Sequence, residues 1–292
     1  MPLTALLLVV LAAVIHAAWN LLAKRGSHVG PAFVFAYTLA SGVLYLPWVA
    51  WVLWHEGMAW SGPIVACLLA SGALHLVYSL CLQRGYRVAD LSVVYPVARG
   101  SGPALSTLGA VLLLAERPGL RGVGGLLLVV GGIGLIAAGA PRRAPAAGGH
   151  ADVGAGIRWG LATGALIAAY TVVDAWGVKV LLIAPVLLDW FANAVRVAMI
   201  APWVVRDRRW REAMRGHWGL AVAIGALAPL GYILVLTALR SGAPLSLVAP
   251  ARELSMMVAA VLGVLLLREP VGVARLAGCV LLTIGVVTLA AS

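Results

Sequence analysis

Eight ionisable side chains stand inside long apolar runs of this sequence: His16, His75, Arg99, Asp174, Asp189, Arg196, Arg252 and Glu253. A charge at the centre of a lipid bilayer costs about 2.5–3.5 kcal/mol on insertion scales, so such residues default to a pathway or a binding site. Their types suggest the chemistry. Arginine offers a planar fork of donors to carboxylate or phosphate. Imidazole and carboxylate groups take up and release protons. Spacing groups these residues further, because positions three and four apart share a helical face. His16, Trp19 and Asn20 form one such stripe, and His75 and Tyr78 another. Tyr95 pairs with Arg99, and Tyr170 with Asp174, while Asp189, Asn193 and Arg196 run along a third helix.

The expected division of labour follows. Arg99, with Arg252 or Arg196, meets an anionic group. Trp19, Asn20, Tyr78, Tyr95, Tyr170 and Tyr232 supply amide, hydroxyl and ring contacts to a solute. His16, His75, Asp174 or Glu253 carries a coupling proton. Structural readings stand beside each of these. Arg99 and Glu253 make a gate or a clasp between halves. Asp189 lines the site, pairs with Arg196 along its own helix, or lies at the membrane surface. Either histidine serves a proton path or bonds a carbonyl, and Trp19 is a solute platform or packing.

No catalytic set accompanies these residues. H-E-x-x-H, G-x-S-x-G and P-loop patterns are absent, and no cofactor or metal is expected. Cys67, Cys81 and Cys279 lie singly in apolar runs, without C-x-x-C spacing.

The elements that must hold these side chains are membrane helices. The chain has 292 residues, is 63% hydrophobic and only 11% charged, too few charges to cover a soluble core. Stretches such as 26–55, 57–83 and 217–239 carry no Asp, Glu, Lys or Arg, and about 20 residues suffice to cross a bilayer. Ten spans are expected, near 3–23, 30–54, 63–83, 89–115, 120–140, 157–178, 182–205, 217–239, 243–267 and 271–291. Pro96, Gly100, Gly102 and Pro103 make Tyr95–Pro103 the expected break in the fourth.

The sequence also repeats itself. At an offset of 154, Tyr78, Leu80, Leu82, Ala89, Leu91, Ser92, Val94 and Pro96 fall on Tyr232, Leu234, Leu236, Ala243, Leu245, Ser246, Val248 and Pro250. One residue less aligns Val111–Glu116 with Val264–Glu269, and Gly125, Leu128 and Gly132 with Gly278, Leu281 and Gly285. Two repeats follow, 1–140 and 157–292, joined by a linker over 141–156. Five spans per copy turn the second copy upside down, which makes an all-α polytopic membrane protein of two inverted five-helix repeats. The alignment sets Arg99 on Glu253, opposite charges at equivalent positions, within reach if their helices face each other. Glu116 and Glu269 read as equivalent caps at loop ends.

The net charge of +11 is not a nucleic-acid footprint. Lys24, Arg25, Arg84, Arg87 and the cluster Arg206, Arg208, Arg209, Arg211 and Arg215 sit in short loops on one side. The positive-inside rule makes that side cytoplasmic and turns both termini outward. Trp48, Trp51, Trp54, Trp203, Trp210 and Trp218 lie near span ends, as interfacial anchors do.

The paired closing segments Ala115-Glu116-Arg117-Pro118 and Leu267-Arg268-Glu269-Pro270, with the turns Val94–Pro96 and Val248–Pro250, resemble the EamA-type drug/metabolite transporter superfamily. The resemblance covers nearly the whole chain. Its opening His16–Lys24 is similar to a branch of which some members accompany genes for phosphonate use. The resemblance implies a secondary transporter, often an exporter of amino acids or other metabolites, with a central cavity. It also implies cytoplasmic termini, against the charge count. The expectation is a multi-pass transporter of the cell membrane, monomer or homodimer, in contact with lipid and a small polar solute. A lipid flippase subunit or a membrane-embedded enzyme is the alternative.

Overall fold

The computed structural model describes residues 2–26, 29–88, 91–138, 153–207, 209–258 and 272–292. In chain order the helices are α1 (Leu3–Gly26), α2 (Pro31–His55), α3 (Gly62–Val88), α4 (Leu91–Leu113), α5 (Leu120–Ala138) and α6 (Val153–Lys179). Then come α7 (Pro185–Arg206), the short α8 (Trp210–Ala213), α9 (Trp218–Arg240), α10 (Leu245–Ala251) and α11 (Val273–Ala290). No strand occurs among the described residues. Helices suit this sequence because apolar side chains leave the backbone no other partner in lipid than itself. Proline takes the first position of α2 and α7, where its missing N–H costs nothing.

By length and composition, seven described helices can cross a membrane: α1, α2, α3, α5, α6, α7 and α9. Three of the ten expected spans are not among them. α4 has 23 residues but includes Arg99 and several glycines and prolines. The stretch expected at 243–267 passes outside the described residues after 258, and so do Val264–Glu269. The apolar part of α11, Leu276–Ala290, is short. α6 begins at Val153, four residues before the span expected from 157, and residues 139–152 lie outside the described residues.

The break expected in α4 is elsewhere. α4 runs unbroken through Pro96 and Pro103, whereas the chain after α10 breaks at Arg252–Glu253. There Glu253 N donates to Pro250 O, Ser255 N to Arg252 O and Met256 N to Glu253 O, all three residues back instead of four. The helix thus tightens to three residues per turn just past Pro250, then resumes over 254–258.

Helices of the two halves interleave. α3 packs on α6 and α9 on α1, while α4 lies along α6 and α5 along α11. Glycine sets the last contact. A Cβ on Gly132 would stand 2.8 Å from Gly278 O, and one on Gly125 would stand 3.0 Å from Gly285 O. Gly125 meets Gly285 and Gly132 meets Gly278, so the two helices run antiparallel, backbone against backbone. Close approach of this kind is what holds helices together in lipid, where no hydrophobic effect separates them from the solvent.

The bundle has two unlike ends. Where α2, α4, α6 and α9 finish, an apolar plug forms around Val9, Cys67, Ala110, Val178, Leu239 and Leu245, all nearly inaccessible. Glu116 locks it. α4 ends with Glu116 N bonded to Ala110 O, six residues back, which places Ala115 in the left-handed region at φ 54. That turn aims the carboxylate at α10. Glu116 accepts from Leu245 N (2.7 Å), Ser246 N (2.9 Å), Ser246 Oγ (2.8 Å) and Lys179 Nζ (2.9 Å). Arg240 approaches Glu56 at 3.6 Å beside it. Where α1, α3 and α7 finish, a smaller cluster gathers Phe33, Phe35, Leu76, Met214 and Ile224.

Candidate functional site

A cavity of about 280 Å³ lies between the halves. At about 30 Å³ per water it holds roughly nine, the room a small metabolite needs. Its wall comes from α1, α2, α3, α4, α6, α7 and α9, with Arg252 from the break past α10. It extends toward the ends of α1 and α3 at Asn20, which is exposed, and Leu82. In the other direction it stops at Ala12, Ser71 and Val235, short of the plug.

All eight residues expected to contact solute lie on this wall: Trp19, Asn20, Tyr78, Tyr95, Arg99, Tyr170, Tyr232 and Arg252. Of the four expected proton carriers, His16 and His75 lie on it. Asp174 and Glu253 do not; both are wholly buried behind it. The reason is that a carboxylate at this depth must be bonded. Tyr232 donates its hydroxyl to Asp174 Oδ2, and Arg99 reaches Glu253, so each acid is covered by a cavity residue.

Arg99 is the hub of one cluster. Its Nη1 is 3.3 Å from Glu253 Oε1 and its Nη2 is 2.9 Å from His16 Nε2. The sequence separation of the ion pair is 154, the offset of the repeat. A guanidinium only donates, so His16 Nε2 accepts, and its proton sits on Nδ1. Tyr95 places its ring 5.5 Å below the guanidinium carbon, and Trp19 meets His16 edge-on at 5.0 Å.

His75 centres a second cluster. Its ring stacks on Tyr170 at 4.0 Å and meets Tyr232 edge-on at 5.5 Å. Its Nδ1 is 2.9 Å from Ser71 O, which can only accept, so Nδ1 carries a hydrogen. Its Nε2 then faces Asp174 Oδ2 at 3.9 Å. In the neutral imidazole both atoms are acceptors, and one added proton on either turns that repulsion into attraction.

The wall also takes in α7, whose Asp189 and Arg196 the sequence offered as one reading, and α2, which the sequence reading did not offer. α2 contributes Tyr37, Thr38 and Ser41, and α7 contributes Asp189, Asn193 and Arg196. The spacing of the α7 stripe was visible in sequence. Counting hydroxyls with charges would have found α2 too, since Tyr37 and Ser41 are four apart on an otherwise apolar helix. No ion pair forms between Arg196 and Asp189. Arg196 Nη2 donates instead to Asn193 Oδ1 (2.8 Å), and Asn193 Nδ2 to Thr38 O (2.9 Å).

The wall therefore keeps unspent charge. Arg252 has neither a side-chain hydrogen bond nor an acid within ion-pair range among the described residues, and Arg196 lacks an acid. Buried polar atoms nearly always find partners. Here Arg196 Nε, Arg252 Nε, Asp174 Oδ1 and Glu253 Oε2 find none. Among the described residues no group of His, Cys, Asp and Glu could hold a metal ion.

The architecture recurs in solved structures. One crystal structure superposes with a TM-score of 0.75 over 99% of this chain and 96% of its own, at 18% identity. That likeness is of fold. No curated protein sequence matches the chain. The sequence model of the EamA-like transporter family matches twice, over 3–138 and over 154–291. Together the two matches take in α1 to α5 and nearly all of α6 to α11, so the chain is a multi-pass membrane protein that belongs to the EamA-like transporter family.

Proposed function

We propose that the protein is a secondary transporter, working as an exporter in the cell membrane, that carries an amino acid, another small zwitterion or an organic anion by alternating access, without ATP. The observation that carries this reading is the cavity itself, a chamber between two repeats with tyrosines, histidines and guanidinium groups that lack an acid partner on its wall. The interleaved packing of α1, α3, α6 and α9, and the antiparallel α5 and α11, support ten spans arranged as an inverted pair. One copy supplies both walls, so a monomer suffices.

Arg252 and Arg196 take the anionic group of the solute. Tyr78, Tyr170 and Tyr232 hold its body with rings and hydroxyls. The site between His75 Nε2 and Asp174 Oδ2 takes the coupling proton. Arg99 and Glu253 tie α4 to the broken segment past α10, and a solute or proton that competes for Glu253 loosens that tie. A membrane enzyme would gather its acids and bases at one interface; here they lie on several helices around one chamber.

The test is transport into proteoliposomes of amino acids and organic acids under an imposed pH gradient. Uptake of one class should follow the gradient. Arg252→Gln should lower its rate more than tenfold, and His75→Gln should make the rate independent of the gradient. Wild-type rates in Arg252→Gln would sink the assignment of the site.

A further inference from the structure

The loop between α7 and α9 is folded. Asp207 Oδ1 accepts from the Arg209 amide at 3.0 Å, and the amides of Trp210, Met214 and His217 close turns at 3.0–3.1 Å. Met214 is wholly buried, and Trp210 meets Phe35 edge-on at 5.5 Å and Trp218 at 6.1 Å. This anchoring turns the remaining side chains out. Arg206, Arg209, Arg211 and Arg215 are all exposed, and none has an acid within ion-pair range among the described residues. Arg211 lies over the Trp210 ring at 5.5 Å, which fixes its stem. The loop's own acids are Asp207, engaged by a backbone amide, and Glu212. Arg208 lies outside the described residues.

Depth is set by tryptophan. Trp203 and Trp218 flank the arginines and are exposed, 81% and 43%, as rings at the headgroup level are. The arginines therefore stand at the height of lipid phosphates. Guanidinium groups bind phosphate oxygens two at a time, with geometry an ammonium lacks. The turn between α2 and α3 is the counter-example: residues 56–61 contain Glu56 and no Lys or Arg, and Glu56 is met by Arg240. Nucleic acid or an acidic protein would need the arginines clear of the bilayer, and the tryptophans hold them at it.

We propose that the α7–α9 loop is a binding surface for anionic phospholipid headgroups, seated on Arg209, Arg211 and Arg215 between Trp203 and Trp218. Basic residues at a membrane surface gain affinity from each anionic lipid they meet, about fivefold per arginine. The attraction is screened by salt.

The experiment uses the full chain in nanodiscs of phosphatidylcholine with rising phosphatidylglycerol, reading the melting temperature, and native mass spectrometry to count retained lipids. Phosphatidylglycerol should raise the melting temperature and stay bound, and added salt should reduce both effects. The triple variant Arg209→Gln, Arg211→Gln, Arg215→Gln should lose most of the gain. Equal gain in variant and parent, or no gain in the parent, overturns the proposal. Equal stabilisation by free glycerol phosphate in phosphatidylcholine discs also overturns it, because the site would then be one for soluble anions. If the triple variant does not fold, Arg211→Gln and Arg215→Gln carry the test singly, each expected to weaken headgroup retention about fivefold.

Discussion

Where α2, α4, α6 and α9 finish, Glu116 meets Lys179 and Glu56 meets Arg240; where α1, α3 and α7 finish, Arg206, Arg209, Arg211 and Arg215 meet no acid among the described residues. The first end is sealed by an apolar plug and a bonded carboxylate. The second has the smaller cluster and the approach to the cavity by Asn20. Among the described residues, the first end leaves exposed Arg117 and Arg121 without an acid but ties Lys179 and Arg240 to carboxylates, whereas at the second end none of the four arginines is paired. In the proposed transport cycle the end held by Glu116 has contacts to lose before it opens.

The ion pair between the ends is the most sensitive place to probe this contrast. Glu253→Ala leaves the Arg99 guanidinium buried without its carboxylate, and should lower stability by about 3–5 kcal/mol in chemical denaturation. Arg99→Met combined with Glu253→Leu should recover much of that loss, as paired apolar replacement does. If Glu253→Ala unfolds like the parent, the pair does not join the halves.

The sealed end comes next. Glu116→Ala removes hydrogen bonds from two backbone amides, a hydroxyl and an ammonium, and should cost about 1.5–3 kcal/mol. Cys67, buried in the plug, is a reporter already in place. In a background of Cys81→Ser and Cys279→Ser, a water-soluble thiol reagent should label Cys67 severalfold faster in Glu116→Ala than in the parent. Equal labelling would mean that the plug alone seals that end. Arg206→Gln, at the other end, should leave Cys67 labelling unchanged and stability in neutral detergent within about 0.5 kcal/mol.

Acid probes the same contact with a smaller effect. Burial of the Glu116 carboxyl acts to raise its pKa, but hydrogen bonds from the Ser246 and Leu245 amides, Lys179 and the Ser246 hydroxyl outweigh it and hold it below 4.5. A depressed carboxyl pKa stabilises the folded form fully above the ordinary value of 4.5 and loses that stabilisation as pH falls through the lower folded value. Labelling of Cys67, expressed relative to a free thiol at the same pH so that the falling thiolate fraction cancels, should therefore be flat from neutral pH down to about 4.5 and rise below it. Glu116→Gln should abolish that step.

Most of the fold was legible because a membrane sequence writes its helices in composition and its duplication in offsets. The 154-residue offset sets Arg99 opposite Glu253, and the two meet at 3.3 Å. The stripes at helical spacing picked side chains that share one cavity, since a polar face on an apolar helix has only the interior to turn to. Three things were not legible. Whether Pro96 or Pro250 breaks its helix depends on what the freed groups meet, and that is tertiary. Whether Asp174 touches the cavity or hides behind Tyr232 is a matter of a few ångströms that spacing does not encode. The wall from α2 was missed because hydroxyls were weighed less than charges.

The glycine contact between α5 and α11 has a consequence for how the chain is made. Gly132 is synthesised and inserted well before its partner Gly278, and Gly125 earlier still relative to Gly285. At roughly 5–20 residues per second, α5 waits some 7–30 s in the bilayer with its smooth face unmatched. Its neighbour within its own half is α4, so α5 cannot complete its packing until α11 emerges. A helix of the second half is thus the one that completes the packing of the first, and a chain truncated before α11 should leave α5 as a stray helix open to the wrong partner.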